Sequence, residues 1–385
     1  MADLQLGVIG VAQRGCLADA AHRPGRGSRI VAGADIWPSA LAQFDQRLGG
    51  GMRLHADWRR LLDDRSLDAV FVTAPDFLHE EMAVAALEAG KAVYAEKPLA
   101  ITIEGCDRIL RTAMRTGSRL FVGHNMRHMP VILKMRELIG QGAIGSVQAV
   151  WCRHFVNYGG DAYFRDWHSE RRCAGGLLLQ KGCHDLDVIH WLAGARSEWV
   201  SGMGKLSVYD RCARRREPRA DRFCAVFDPA HWPPTALEDV SPVVDVEDHN
   251  MVMAQLANGV QASYLQCHYT PDAERNYTFI GDRGRIENIG DSGRHEVHLW
   301  DRRGERSRPD AVFHLEPGLG GHGGADGAIV QAFLDYLLEG RTPSTSPVEA
   351  RDAVAVGVKG HESMRGGGAR LHVPPPEDDI IKHYQ

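Results

Sequence analysis

The first third of the chain alternates short apolar runs with helical patterns, and few folds accommodate that alternation. Leu4 to Gly10, Ser28 to Ala34, Asp68 to Ala74, Ala92 to Ala95 and Arg119 to Gly123 read as strands, with a weaker candidate at Met52 to His55. Helical patterns such as Leu78 to Glu88 and Ile103 to Thr116 lie between them. This spacing predicts βαβ units around a parallel sheet. The first run ends in Gly10-Val11-Ala12-Gln13-Arg14-Gly15, a G-x-A-x-x-G turn that opens a helix. Gly10 permits the tight turn, Ala12 lets backbone approach a pyrophosphate, and Gly15 permits close helix–strand packing. The helix start, with Gln13 and Arg14, then offers N–H groups and a positive dipole end to phosphates. Asp35 lies 20 residues beyond Gly15, at the end of the second strand. A carboxylate there accepts both ribose hydroxyls and repels a 2′-phosphate, so NAD is expected over NADP. Trp37 brings no countercharge, although Arg14 is a cation that a phosphate could use.

A second signal is Ala95-Glu96-Lys97-Pro98, directly after the fourth run. Proline ends the strand and turns the chain, leaving Lys97 at the carboxyl edge of the sheet, where open α/β sheets bind ligands. Beyond residue 126 the alternation is lost. Ser146 to His154, Asn250 to Leu256, Val260 to Gln266 and Tyr277 to Ile280 read as strands, and Ala257-Asn258-Gly259 as a hairpin turn. Arg211 to Asp245 is rich in charge and proline and reads as a long excursion. Asp326 to Leu338 and Val348 to Met364 read as helices, and the tail from Pro374 as an extended arm. The expected division is 1–125, 126–373 and an arm at 374–385.

Taken together these pieces resemble the Gfo/Idh/MocA oxidoreductases, named for glucose-fructose oxidoreductase, inositol dehydrogenase and a rhizopine-catabolism protein. The resemblance is carried by Gly10 to Gly15, Asp35, Thr73-Ala74-Pro75-Asp76 with His79, Glu96-Lys97-Pro98 and Gly123-His124-Asn125. Farther on it is carried by Gly175-Gly176, Lys181-Gly182-Cys183-His184-Asp185-Leu186-Asp187 and Gly281 to Glu287. It implies an N-terminal Rossmann domain with a parallel sheet, followed by an α/β domain with a large, mostly antiparallel open sheet. It also implies bound NAD(H) or NADP(H), a sugar, polyol or related cyclic substrate, and a homodimer or homotetramer assembled through the open sheet face. It gives Lys97 a catalytic or substrate-orienting role, and a cis peptide before Pro98.

Hydride transfer at a secondary alcohol needs a path for the hydroxyl proton and stabilisation of the developing alkoxide. Lys97 suits the second task and His184 the first, because an imidazole titrates near neutral pH. Asp187 and Trp191 follow His184 by three and seven residues on one helix face, so Asp187 is expected to orient the imidazole. Many members of the family carry aspartate four residues before the histidine; this chain has Gln180, which cannot exchange protons usefully. The neighbouring Lys181 is a second cation for the substrate. Ala74, Pro75, His79, Glu96 and Asn125 are expected around the cofactor. Arg165, Trp167, Gln180, Lys181, His268 and His322 are expected around the substrate.

Composition excludes other classes. A net charge of -5 argues against nucleic acid or anionic membrane, with only Arg211, Arg214, Arg215, Arg216 and Arg219 forming a local basic stretch. No signal-peptide pattern or bilayer-length apolar run is present, and the eight cysteines lack zinc or redox spacing, so a cytoplasmic protein is expected. None of the histidines has a recognised metal-ligand spacing. Two further readings stay open. One is a redox-neutral enzyme with tightly held NAD that cleaves glycosides through a transient keto-sugar. The other is a non-catalytic nucleotide-binding sensor.

Overall fold

The computed structural model describes residues 2–384 apart from 218, 220, 222, 292–294, 305, 306, 317 and 319. Its first sheet consists of β1 (Leu4–Ile9), β2 (Ser28–Ala34), β3 (Arg53–His55), β4 (Ala69–Val72), β5 (Ala92–Ala95) and β6 (Leu120–Val122). The strands lie in the order β3-β2-β1-β4-β5-β6, all parallel. β1, β2 and β4 reach neighbours on both faces, which is why they read as continuous apolar runs. The order reverses between β1 and β4, so a crevice opens at their carboxyl ends.

The second sheet contains β7 (Val147–Phe155), β8 (Ser197–Lys205), β9 (His249–Leu256), β10 (Gln261–Cys267) and β11 (Glu274–Gly281). It is completed by β12 (Arg285–Ile289), β13 (Glu296–Trp300), β14 (Ala311–His314) and β15 (Leu371–His372). Its nine strands run β14-β13-β12-β11-β7-β10-β9-β8-β15, and only the β7–β10 pair is parallel. One face packs on helices. The other exposes Trp151, Met203, Met251 and Met253.

Three local expectations need correction. The segment after the glycine turn is a 3-10 helix, Gln13–Ala21, and Gln13 itself has φ +38°. The tail is not an extended arm: Asp378–Tyr384 is helical, Ile380 is fully buried, and the Tyr384 hydroxyl donates to Leu110 O at 3.1 Å. Apolar residues spaced along one helix face supply that docking, a pattern too short to stand out behind three prolines. The helix Ala325–Glu339, expected in the second domain, packs back on the first sheet. Its Phe333 meets Phe71 at 5.2 Å, Tyr94 at 5.5 Å and Phe121 at 5.4 Å between ring centroids. The helix Pro347–Arg365 then joins both cores, with Ala350 and Val354 in one and Ala355 and Val356 in the other. The halves are therefore interlocked, and the cleft between them has two firmly held walls.

Candidate active site

The glycine turn is built for a close approach. Gly10 has φ +85°, and a Cβ there would lie 2.7 Å from the backbone of Ala74; one on Gly15 would lie 2.3 Å from Gly10 O. Thr73 clamps the same turn by donating its hydroxyl to Gly10 O at 2.9 Å. The β1 and β4 ends are thus locked together with bare backbone facing the crevice, a surface that fits a dinucleotide pyrophosphate. Asp35 follows β2, half-buried, and accepts from the Trp37 N–H at 3.0 Å.

Arg14 is held by two carboxylates. Its Nε lies 3.2 Å from Glu96 Oε1 and its Nη1 lies 3.0 Å from Asp326 Oδ1. Asp326 is a hub that sequence reasoning missed. It also accepts from Asn125 Nδ2 at 2.6 Å and sits 3.2 Å from His322 Nδ1. Burial works to raise its pKa, but His322 and Arg14 hold it well below the usual carboxylate range. Its only sequence signal was a place four residues after His322 on a helix start.

His79 requires a correction. It is buried, with Nδ1 2.7 Å from Pro98 O and Nε2 2.8 Å from Ala74 O. The neutral ring donates its one N–H to one of these carbonyls and packs its other nitrogen against the second, so it is a strut between two turns rather than a cofactor-facing group. The strut fixes Ala74-Pro75-Asp76 against Lys97-Pro98, whose peptide is cis.

Lys97 is half-buried and donates across the cleft to the backbone carbonyl of Gln180 at 2.9 Å. Gln180 ends the short helix Leu177–Gln180, and the helix Cys183–Ala193 carries His184. The paired glycines before them are sterically required, because a Cβ on Gly176 would strike the His361 ring at 2.3 Å. His184 is buried and its Nδ1 has no hydrogen-bond partner among the described residues. Burial first, then Lys97 and Lys181, push it well below the ordinary histidine value, so the ring is neutral. His322 and His124 flank it at 6.0 and 6.3 Å between ring centroids.

Asp187 does not orient this imidazole. It is paired with Arg127 at 2.8 and 2.6 Å, and it lies 3.6 Å from His124 Nδ1. A buried guanidinium is the stronger partner, and periodicity along one helix cannot reveal a cation arriving from another segment. Asp185 on the neighbouring face anchors Arg275 at 2.7 Å and the Tyr264 hydroxyl at 2.8 Å.

Lys181 is buried, with Nζ 5.8 Å from the Tyr158 ring and 6.0 Å from the Tyr163 ring. Burial lowers its pKa, and its charge in turn lowers that of Tyr158. His268 is fully buried against Tyr163 at 5.2 Å, and neither of its ring nitrogens has a protein partner among the described residues. Trp167 is half-buried and stacks flat on His168 at 3.7 Å. Arg165 is committed elsewhere: its Nη2 bonds Asp239 at 3.2 Å and its guanidinium covers Phe223. The expected substrate contact from Arg165 is therefore replaced by a support for the excursion. Within the basic stretch Arg214 pairs with Asp210 at 2.8 Å and Arg219 with Asp239.

Asp76, quoted in the sequence only as part of a turn, is 4% exposed beside Lys97. Its Oδ2 and Gln180 Oε1 both lack hydrogen-bond partners among the described residues. Burial raises its pKa well above the aspartate range, Lys97 works against that rise, and Glu96 adds to it. The cleft thus gathers two lysines, Lys97 and Lys181, a neutral imidazole and several polar atoms unpartnered among the described residues. That is the equipment for binding and activating a hydroxyl-rich molecule.

Known proteins share this fold. An oxidoreductase-family model described as an NAD-binding Rossmann fold matches residues 4–124, and the model of the same family's C-terminal alpha/beta domain matches residues 136–373. The chain is 33% identical over 217 residues to 1-carboxy-3-chloro-3,4-dihydroxycyclohexa-1,5-diene dehydrogenase of Comamonas testosteroni, covering 56% of this chain and 53% of that protein. It is 31% identical over 199 residues to an inositol 2-dehydrogenase of Klebsiella pneumoniae, covering 51% of this chain and 56% of that protein. The chain spans about half the length of these curated relatives. It matches the fold of a levoglucosan dehydrogenase solved with NADH and levoglucosan, with a TM-score of 0.77 and 22% identity over 97% of this chain and 100% of that one. No helix among the described residues is long and apolar enough to cross a membrane. Fold, glycine turn and both matched halves place the chain in the Gfo/Idh/MocA family of NAD-binding oxidoreductases.

Proposed function

We propose that the protein is an NAD-dependent dehydrogenase or reductase acting on a secondary alcohol or ketone of a sugar, glycoside or cyclitol. The observation that carries this reading is the bridge from Lys97 to Gln180 O at 2.9 Å, which sets a cation beside the neutral His184. NAD, when bound, supplies the hydride acceptor. Gly10, Ala12, Gln13 and the 3-10 helix start would hold its phosphates, and Asp35 its ribose hydroxyls. Glu96 and Asn125, fixed by Arg14 and Asp326, would border the nicotinamide end. Lys97 stabilises negative charge on the substrate oxygen, and His184 exchanges a proton with that oxygen. Gln180, Lys181, His268, His322 and Trp167 line the hydroxyl-binding side. The exposed sheet face around Trp151, Met203 and Met253 supports a homo-oligomeric contact.

One observation favours the redox-neutral alternative. The excursion reaches back to the first domain at two points: Gln13 Nε2 donates to Phe223 O at 2.5 Å and Ser39 Oγ to Asp221 Oδ1 at 2.7 Å. Both points border the predicted dinucleotide path, so the excursion supports retention of the cofactor between turnovers.

The test is a panel of sugars, inositols and glycosides with NAD and NADP, following nicotinamide absorbance. It begins with mass spectrometry of any nucleotide released on denaturation. Stoichiometric NAD reduction upholds the dehydrogenase reading. Bond cleavage with retained NAD upholds the alternative, and turnover of none of the panel contradicts both.

A further inference from the structure

Lys181 carries a charge that no carboxylate of the cleft answers. It is 6% exposed, directly after the short helix whose last residue, Gln180, receives the Lys97 bond. Asp185, four residues on and its natural helical partner, is turned instead to Arg275 at 2.7 Å and His154 at 3.2 Å. Asp326 is held by Arg14 and His322, Asp187 by Arg127, and Asp76 lies beside Lys97. None of these carboxylates comes within ion-pair reach of the Lys181 ammonium. Aromatic rings surround it: Tyr158 at 5.8 Å and Tyr163 at 6.0 Å from Nζ to ring centroid. A buried ammonium without an anion is costly, and burial lowers its pKa accordingly.

The same tyrosine gathers two more unsatisfied side chains. The His268 ring meets Tyr163 at 5.2 Å and the His168 ring meets it at 5.3 Å. Both nitrogens of His268 and Nδ1 of His168 are buried and have no partner among the described residues. Each ring is neutral and therefore has one N–H to donate. One ammonium and two imidazoles thus converge around Tyr163 with no acceptor among them that matches the charge. A single monovalent cation suits a carboxylate, whose two oxygens also accept from neutral donors. A phosphate dianion calls for a second cation. Arg275 is already taken by Asp185 and Asp291, Arg165 by Asp239, and Lys97 by the reacting end of the cleft.

We propose that the substrate bears a carboxylate, and that Lys181, His168 and His268 form the subsite that receives it. This rests on the dehydrogenase reading above and names the substrate class as acidic sugars or acidic cyclitols. The two lysines then divide the substrate between them. Lys97 attends the oxygen at the carbon that exchanges hydride, and Lys181 holds a charge that takes no part in the reaction. The carboxylate anchors the ring by binding remote from the chemistry, which fixes the carbon presented to the nicotinamide.

The test uses the full chain loaded with NAD, and the probes are D-glucuronate, D-galacturonate, their methyl esters and glucose-6-phosphate. Calorimetry reads binding, and initial rates of NADH formation read turnover. Wild type should bind a hexuronate about 10²-fold more tightly than its methyl ester. Lys181→Met, which keeps the stem and loses the charge, should remove most of that preference. Without ligand, Lys181→Met should be no less stable than wild type to chemical denaturation, because the cation it removes is unpaired. A merely structural lysine would instead lower stability and leave the acid-over-ester ratio in place. Equal affinity for acid and ester, or no detectable binding of either, overturns the inference, as does a preference for the phosphate. Tyrosinate absorption at neutral pH that Lys181→Met abolishes also overturns it, because Tyr158, whose pKa the lysine lowers, would then supply the anion. If acids bind preferentially and no compound reduces NAD, the dehydrogenase reading fails while the subsite stands. If neutral sugars reduce NAD and acids have no advantage, the subsite fails while that reading stands.

Discussion

The two walls of the cleft hold their polar groups in different ways. On the first wall Arg14, Glu96, Asn125 and Asp326 bind one another at 2.6 to 3.2 Å. On the second, His184, His268, His168 and Gln180 each keep at least one buried polar atom without a partner and no ion pair joins them, among the described residues. The unpartnered atoms of the first wall, Arg14 Nη2, Glu96 Oε1 and Asn125 Oδ1, belong to groups already tied into its network. An unpaired buried polar group costs about 1–3 kcal/mol, so the second wall needs support from behind. It has that support: Asp185 is gripped by Arg275, Tyr264 and Tyr277, and Asp187 by Arg127. The difference teaches a division of labour. Ion pairs preorganise the cofactor side, whereas the substrate side keeps its donors and acceptors available on a rigid base.

The most damaging way to break this comparison is to remove the support. Arg127→Met would leave Asp187 charged and buried, and chemical denaturation should read a loss of about 3–5 kcal/mol. Next is the group between the walls. Lys97→Ala should lower kcat by about 10²- to 10³-fold while NAD binding, measured by calorimetry, is retained. A pH series sharpens the comparison further. Burial holds His154 and His168 at about 3, and His190 and His361 at about 4. The unfolded chain protonates these rings below about 6.5 while the folded chain does not. Each therefore removes roughly 1.4 kcal/mol of stability per pH unit on acidification, down to its folded value. Asp352, raised to about 7, and Asp76 work in the opposite direction, because the folded chain binds their protons first. Histidines outnumber them, so denaturation midpoints should fall steadily from pH 6.5 toward 4. The smallest effect is at the adenosine end. Asp35→Ala should raise the use of NADP relative to NAD on the order of tenfold, the equivalent of one lost hydrogen bond, as read by initial rates.

Much of the first domain was legible because each of its signals is local. A strand, a glycine turn and an acid at the next strand end lie within 35 residues, and steric need at Gly10 and Gly15 leaves little choice of residue. Lys97 was legible for the same reason, since the proline beside it ends the strand. The second domain yielded less. β8, β12, β13, β14 and β15 carry mixed patterns, because one sheet face meets helices while the other exposes methionine and tryptophan. Partners from distant segments were out of reach altogether. Arg127 captures Asp187 across 60 residues, Asp326 captures Asn125 across 201, and the His79 strut is invisible without the fold. Asp76 was read as turn chemistry because nothing in Thr73-Ala74-Pro75-Asp76 announces burial beside a lysine.

The most direct test of the central claim is the initial rate of NADH formation with the best panel substrate, in wild type and in Lys97→Ala. The account predicts substrate-dependent NAD reduction by wild type and its near-complete loss in the variant, with the fold intact by circular dichroism. Undiminished NAD reduction by a folded Lys97→Ala protein would contradict it.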